Sequence, residues 1–88
     1  MRIARQLYLE EEDASMERYK DIDNDSGVEA YEIGSDFINV KFQGIVKVYK
    51  YSYASAGQQH IEKMKFLAAN GEDLNAYINK HVKYKYVR

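Results

Sequence analysis

The chain has 88 residues, which is one small domain, too short for a second lobe or a cleft between lobes. It contains no cysteine, so disulfide staples, thiolate nucleophiles and cysteine-based zinc sites are excluded. Hydrophobic residues at 45% and charged residues at 31% fit a folded domain, and no apolar run approaches the roughly 18 residues of a membrane span. The first residues lack the apolar stretch of a signal peptide, so a soluble, cytoplasmic protein is expected.

Residues 1–25 form an acidic N-terminal extension whose beginning is ambiguous. Ile3, Leu7 and Tyr8 suit a helix, while Ile3, Arg5, Leu7 and Leu9 alternate as in a strand. From Ala14 to Lys20 a helix is predicted. The next residues place carboxylates at Asp21, Asp23, Asp25 and Glu32, positions 1, 3, 5 and 12 of a calcium-binding loop. Ser26 occupies the position where such a loop needs glycine, and Gly27 comes one residue late. The favoured reading is therefore a solvated acidic linker, the alternative is a weak calcium site at these four carboxylates, and no other cofactor is expected.

Residues 26–88 are expected to form an α+β domain. Val28 to Ile33 is the first strand, Gly34-Ser35-Asp36 a turn, and Phe37 to Phe42 a second strand with Ile38, Val40 and Phe42 on one face. Gln43-Gly44 marks the next reversal, and the β-branched and aromatic run over residues 45–53 is the third strand. The pattern then changes period. Ser55 and Gln58 have the spacing of a capping box, and Ile61, Met64, Leu67 and Ala68 repeat at helical intervals up to Asn70-Gly71. A second helix begins near Glu72 and Asp73, carries Leu74, Tyr77, Ile78, His81 and Val82 on one stripe, and gathers Lys80, Lys83 and Lys85 toward its negative end. The prediction is a three-stranded antiparallel meander followed by two helices packed on one face, in the order βββαα.

The net charge of −1 conceals a division: residues 1–36 carry −7 and residues 37–88 carry +6. Either the acidic part is solvated or lies against the basic part, or the basic part is kept for a polyanion. Nine tyrosines stand out. Tyr49, Tyr51 and Tyr53 share a strand face with Ile45 and Lys47, and that row is predicted to face away from the helices, with Val46 and Val48 in the core. The pairing requires a three-residue loop or a bulge after Phe42. Tyr84 and Tyr86 add rings near the C-terminus, and Lys41, Lys50, Lys83, Lys85 and Arg88 add cations. Rings that stack on bases, beside cations that track phosphates, are what single-stranded nucleic acid requires. Packing or a dimer interface explains the same row without a ligand.

The remaining side chains offer little catalytic chemistry. His60 and His81 fall on different helices, with no nucleophile or third ligand at a useful spacing, and His81 is expected at the edge of the core. No glycine-rich phosphate loop occurs, and the neighbouring carboxylates are sequential runs. Phe66 falls opposite Ile61 and Met64, beside Lys63 and Lys65, and is predicted to be exposed unless the N-terminal segment covers it. A non-enzymatic binding role is expected.

From Ser26 to Arg88 the chain resembles the KTSC domain, a small bacterial module also found at the C-terminus of some lysyl-tRNA synthetases. The resemblance rests on Ser26, Ile38-x-Val40-x-Phe42, Gly44, Tyr49-Lys50-Tyr51, Gly71, Leu74-Asn75, Ile78 and Tyr84-Lys85-Tyr86. The chain departs from that pattern at Asn79, where arginine is common, and in lacking a proline after the Tyr-x-Tyr pair. The resemblance implies the same small fold and points toward RNA. The expected partner is thus RNA or another single strand, bound by Lys41, Lys47, Tyr49, Lys50, Tyr51, Tyr53, Lys83, Tyr84, Lys85, Tyr86 and Arg88. The alternative is a protein-interaction module or homodimer, or an inhibitor that presents its acidic segment to a basic partner.

Overall fold

The computed structural model describes residues 16–22 and 27–88. They form an α+β domain on a four-stranded antiparallel sheet, in the spatial order β1 (Glu17–Arg18), β2 (Val28–Ile33), β3 (Phe37–Phe42) and β4 (Val48–Ser52). Three helices follow: α1 (Tyr53–Ala56), α2 (Gln58–Asn70) and α3 (Leu74–Tyr77), the last continuing as a π-helical segment over Ile78–Val82. β2 and β3 have the predicted bounds. A fourth strand and a short extra helix were not predicted.

Ile38 and Val40 alternate inward on β3 and meet Ile61, Met64 and Ala68, which recur at helical spacing on α2. Leu74, Ile78 and Val82 close the same core, with Val28 and Tyr51 from the flanking strands. Complete burial of each large apolar side chain contributes roughly 1.5–3 kcal/mol. A bulge between Val28 and Ala30 resets the parity of β2, so Val28 is buried and Tyr31 packs against the core.

The N-terminal side of the domain departs most from expectation. The predicted helix from Ala14 to Lys20 is replaced, within the described residues, by β1, which pairs Glu17 with Tyr31 and Arg18 with Ala30. Tyr19 is buried, its N–H donates to the Glu29 carbonyl at 2.9 Å, and its hydroxyl accepts from the Leu74 N–H at 3.2 Å. The domain therefore begins before Ser26. Gly71 seals this junction. It ends α2 in the left-handed region at φ 75°, and a Cβ there would lie 2.6 Å from Cβ of Lys20. Its carbonyl accepts from the Ile22 N–H at 2.9 Å.

The expected capping box at Ser55 and Gln58 sits one turn earlier. Ser52 leaves β4 with extended backbone; its Oγ accepts from the Ser55 N–H at 3.1 Å while Ser55 Oγ accepts from the Ser52 N–H at 3.0 Å. This box starts α1, and α2 starts after Gly57. In the acidic loop, Asp23 and Asp25 lie outside the described residues. Glu32 belongs to β2, where it accepts from Asn39 Nδ2 at 3.0 Å, and a β-hairpin occupies the place of an exiting helix. Among the described residues, no cluster of three or more potential ligands could hold a metal ion. None of the described helices is long and apolar enough to cross a membrane.

Candidate functional site

The register of β3 and β4 decides which side chains form a site. Val40 faces Tyr49 and Ile38 faces Tyr51, so Lys41 faces Val48, and five residues, 43–47, make the connecting loop. Gly44 takes φ 78° at its tip. The three-residue loop expected from the sequence would have paired Val40 with Val48, a register shifted by one residue and so of the opposite parity. The tyrosine row consequently faces the helices: Tyr51 is 1% exposed, while Val46 is 91% exposed and Val48 lies on the outer face. Tyr53 leaves the row because it begins α1, where its hydroxyl bonds Glu62 Oε2 at 2.5 Å. Lys47, at the inward-facing parity, sits beyond the covered part of the sheet. It is exposed, and its ammonium lies 4.9 Å from the Tyr49 ring and 5.4 Å from the Tyr86 ring.

The inward tyrosines continue to the edge of the core as an aromatic cluster. Tyr86 stands edge-on to Tyr49, with ring centroids 4.8 Å apart, and to Tyr51 at 6.2 Å; Phe42 meets Tyr49 at 5.7 Å. The C-terminal segment is fastened over this cluster by two backbone contacts. The Val87 N–H donates to the Lys50 carbonyl at 2.7 Å, and Ser55 Oγ donates to the Lys85 carbonyl at 2.7 Å. Between the β3–β4 end and this segment lies a groove of about 250 Å³, lined by Phe42, Ile45, Tyr49, Tyr51, Ile78, Asn79, Lys83, Tyr84 and Tyr86.

The rings in this groove are not equivalent. Tyr51 is core, Tyr49 is half-buried, and Tyr86 is held between its aromatic neighbours and Arg88, whose guanidinium lies 4.8 Å from the ring. Tyr84 is 67% exposed, and its ring makes no aromatic contact within the described residues. Lys83 Nζ lies 5.4 Å from that ring, and Arg88 Nη2 donates to the Tyr84 carbonyl at 3.1 Å. Residues 74–88 contain Lys80, Lys83, Lys85 and Arg88 and no carboxylate side chain. The ion pairs among the described residues are Lys41–Glu29 and Lys65–Glu62, so none of these four cations is neutralised by a described carboxylate. The groove thus has aromatic walls, the exposed Tyr84 ring, and a rim of Lys83, Lys47 and Arg88, none of them paired with a described carboxylate.

Seven of the residues singled out from the sequence gather here: Lys47, Tyr49, Tyr51, Lys83, Tyr84, Tyr86 and Arg88. Lys85 is exposed on the same segment. Lys41 and Lys50 do not join them. Both lie on the opposite sheet face, Lys41 paired with Glu29 at 3.0 Å and Lys50 placed 4.5 Å from the Phe37 ring. Phe42, Ile45 and Asn79 line the groove without having been picked out as site residues. Correct parity on β4 would have brought Phe42 into the site, because Tyr49 shares the inward sheet face with it and packs edge-on against its ring.

Burial leaves a titration signature. Desolvation, followed by the neighbouring Tyr49 and Tyr86 hydroxyls, pushes the Tyr51 phenol up to about 12. A phenol kept neutral by the fold contributes stability that is complete below pH 10 and is lost as pH rises from 10 toward 12. Thermal melts between pH 8 and 11.5 are expected to show a steep alkaline fall that a Tyr51→Phe variant lacks in part. Equal losses in both proteins would contradict the placement of this hydroxyl.

The described residues define a small α+β domain with an aromatic groove and a basic rim. No protein-family model, no curated protein and no solved structure matches the chain.

Proposed function

We propose that this domain is a non-enzymatic binding module for single-stranded nucleic acid in the cytoplasm, RNA being the favoured ligand. The observation that carries the reading is the exposed Tyr84 ring with Lys83 beside it and Lys85 and Arg88 on the same segment, none of the three cations neutralised by a described carboxylate. A base stacks on Tyr84 against the Ile45 side of the groove, and the flanking phosphates meet the ammonium and guanidinium groups. A groove of about 250 Å³ is of the size of one or two unstacked bases, which single strands present and duplexes do not. The resemblance to the KTSC domain favours RNA over other polyanions.

The test is a fluorescence-anisotropy titration of a mixed-sequence single-stranded RNA. Four phosphate contacts would weaken single-strand binding about fifty-fold between 50 and 200 mM salt. Tyr84→Ala is expected to weaken it about tenfold or more, in line with roughly 1–3 kcal/mol per stacked base, while leaving the melting temperature nearly unchanged. Absence of binding up to roughly 100 μM at low salt would remove the proposal.

One observation favours a second reading. Ile45, Val46 and Val48 are exposed together at the end of an edge strand, with Val46 at 91%. A protein partner or a second copy would cover this apolar lip. Under that reading Val46→Lys disrupts association measured by sedimentation, and Tyr84→Ala leaves oligonucleotide affinity at background.

A further inference from the structure

A second groove flanks the other side of the C-terminal helix. Lys63 and Leu67 of α2 face Ala76, Tyr77, Lys80 and His81 across about 280 Å³. The Tyr77 and His81 rings form its wall, and His60 packs against both of them. The imidazole Nδ1 of His60, in the first turn of α2, lies 2.7 Å from the Tyr77 hydroxyl and ties the two helices together. The His81 ring lies 4.4 Å from the Tyr77 ring, tilted by 37°, and 5.4 Å from the His60 ring. Burial raises the Tyr77 phenol above its ordinary value, as expected for a ring packed into this wall.

The sequence placed His81 on the apolar stripe, and the structure places it outside the core. The π winding from Ile78 to Val82 explains the difference. Each residue turns through a smaller angle than in an α-helix, so Val82 stays buried while His81 rotates onto the groove wall. Leu67 and Ala76 supply apolar surface between the helices. Lys63 and Lys80 come from different helices to the same rim, and neither is paired with a described carboxylate; Asp73 is the one acid in the lining. One turn along α2 from Lys63, Phe66 is 62% exposed, with Lys63 Nζ 5.6 Å from its ring.

This groove repeats the chemistry of the first: flat rings, an apolar floor and ammonium groups at the rim. The two are also adjacent. Asn79 lines one groove and Lys80, the next residue, lines the other. The helix is their shared wall, and they lie about one helix diameter apart, roughly 10 Å. A ligand that alternates flat rings with anions can occupy both, crossing the helix where Lys80 and Lys83 project.

We propose that the His81–Tyr77 groove is a second subsite for the same single strand, taking a base against the His81–Tyr77 wall and a phosphate between Lys63 and Lys80. The inference rests on the reading of the first groove given above, and the experiment separates the two. Fluorescein-labelled oligouridylates of 4 and 12 nucleotides are titrated with the wild-type chain and with a Lys63→Gln/Lys80→Gln variant at 50 mM salt. Both substitutions are on the surface, and circular dichroism verifies the fold.

For the wild type, the 12-mer is expected to bind more than tenfold more tightly than the 4-mer, beyond the advantage of extra registers. The variant is expected to lose at least tenfold for the 12-mer and less than threefold for the 4-mer. The chain has two histidines, so their imidazole NMR signals are readily assigned. The His81 resonance is expected to shift when the 12-mer binds, and to shift much less in the variant. If both oligomers bind and the variant weakens neither, or weakens both equally, the second subsite is overturned while the first groove stands. If neither oligomer binds the wild type, the first reading fails and this one falls with it.

Discussion

Replacing Tyr51 with alanine is expected to lower the melting temperature by roughly 15–30 °C, or to leave the chain unfolded at 37 °C. The ring is 1% exposed, faces Ile38 across the β3–β4 ladder, and packs edge-on against Tyr86. Truncating a buried aromatic side chain costs about 3–5 kcal/mol. An 88-residue domain has a total stability of only about 4–13 kcal/mol by the usual per-residue range. The loss is therefore a large part of the whole. Val46→Ala and Val48→Ala, on exposed side chains, are expected to stay within about 0.5 kcal/mol. Thermal unfolding followed by far-ultraviolet circular dichroism compares the three. A tolerant Tyr51 beside a costly Val48 would mean that β4 presents its other face, and the aromatic groove would not exist.

That comparison also locates what the sequence could convey. β2 and β3 were legible because glycines bound them and because Ile38 and Val40 stand between residues less apolar than themselves. β4 offered no such contrast. Valine and tyrosine are both strong strand formers, so Val46 and Val48 competed evenly with Tyr49 and Tyr51 for the core. The register of β4 on β3 decided the matter, and a shift of one residue sends every side chain to the opposite face. The conformation of the connecting loop, with Gly44 at positive φ, is set by tertiary fit rather than by composition.

Two other misreadings have local causes. β1 is two residues long and polar, so it has no periodicity; its membership in the sheet depends on Tyr19 reaching the core and on the contacts of residues 20–22 with Gly71. His81 has the correct α-helical spacing for the stripe, and a change in helix winding moved it. The basic rim fared better. Charge excess over residues 74–88 needs no register to be recognised, because a run without carboxylates stays basic whichever face it presents. Which ring it accompanies did depend on register, and among the described tyrosines all but Tyr84 lie in the core or pack against it.

The rim is also where the largest effect on binding is expected. A Lys83→Glu/Lys85→Glu/Arg88→Glu variant should bind a single-stranded RNA at least about a hundredfold more weakly at 50 mM salt. It should also show a salt slope shallower by about 2, since each single-strand phosphate contact contributes roughly 0.7 to that slope. The cost to the fold is smaller. Lys83 and Lys85 are exposed and have no described carboxylate partner, while Arg88 gives up its contact with the Tyr84 carbonyl and its cover over Tyr86. New carboxylates near the negative end of the helix add a few tenths of a kcal/mol of repulsion. A melting temperature within about 4–8 °C of the parent corresponds to roughly 1 kcal/mol, so any loss of binding would belong to the surface rather than to unfolding. Affinity and slope must fall together. If affinity drops while the slope is unchanged, the three cations act through the shape of the C-terminal segment. If neither changes, no polyanion uses this rim, and the apolar lip at Ile45, Val46 and Val48 becomes the functional surface.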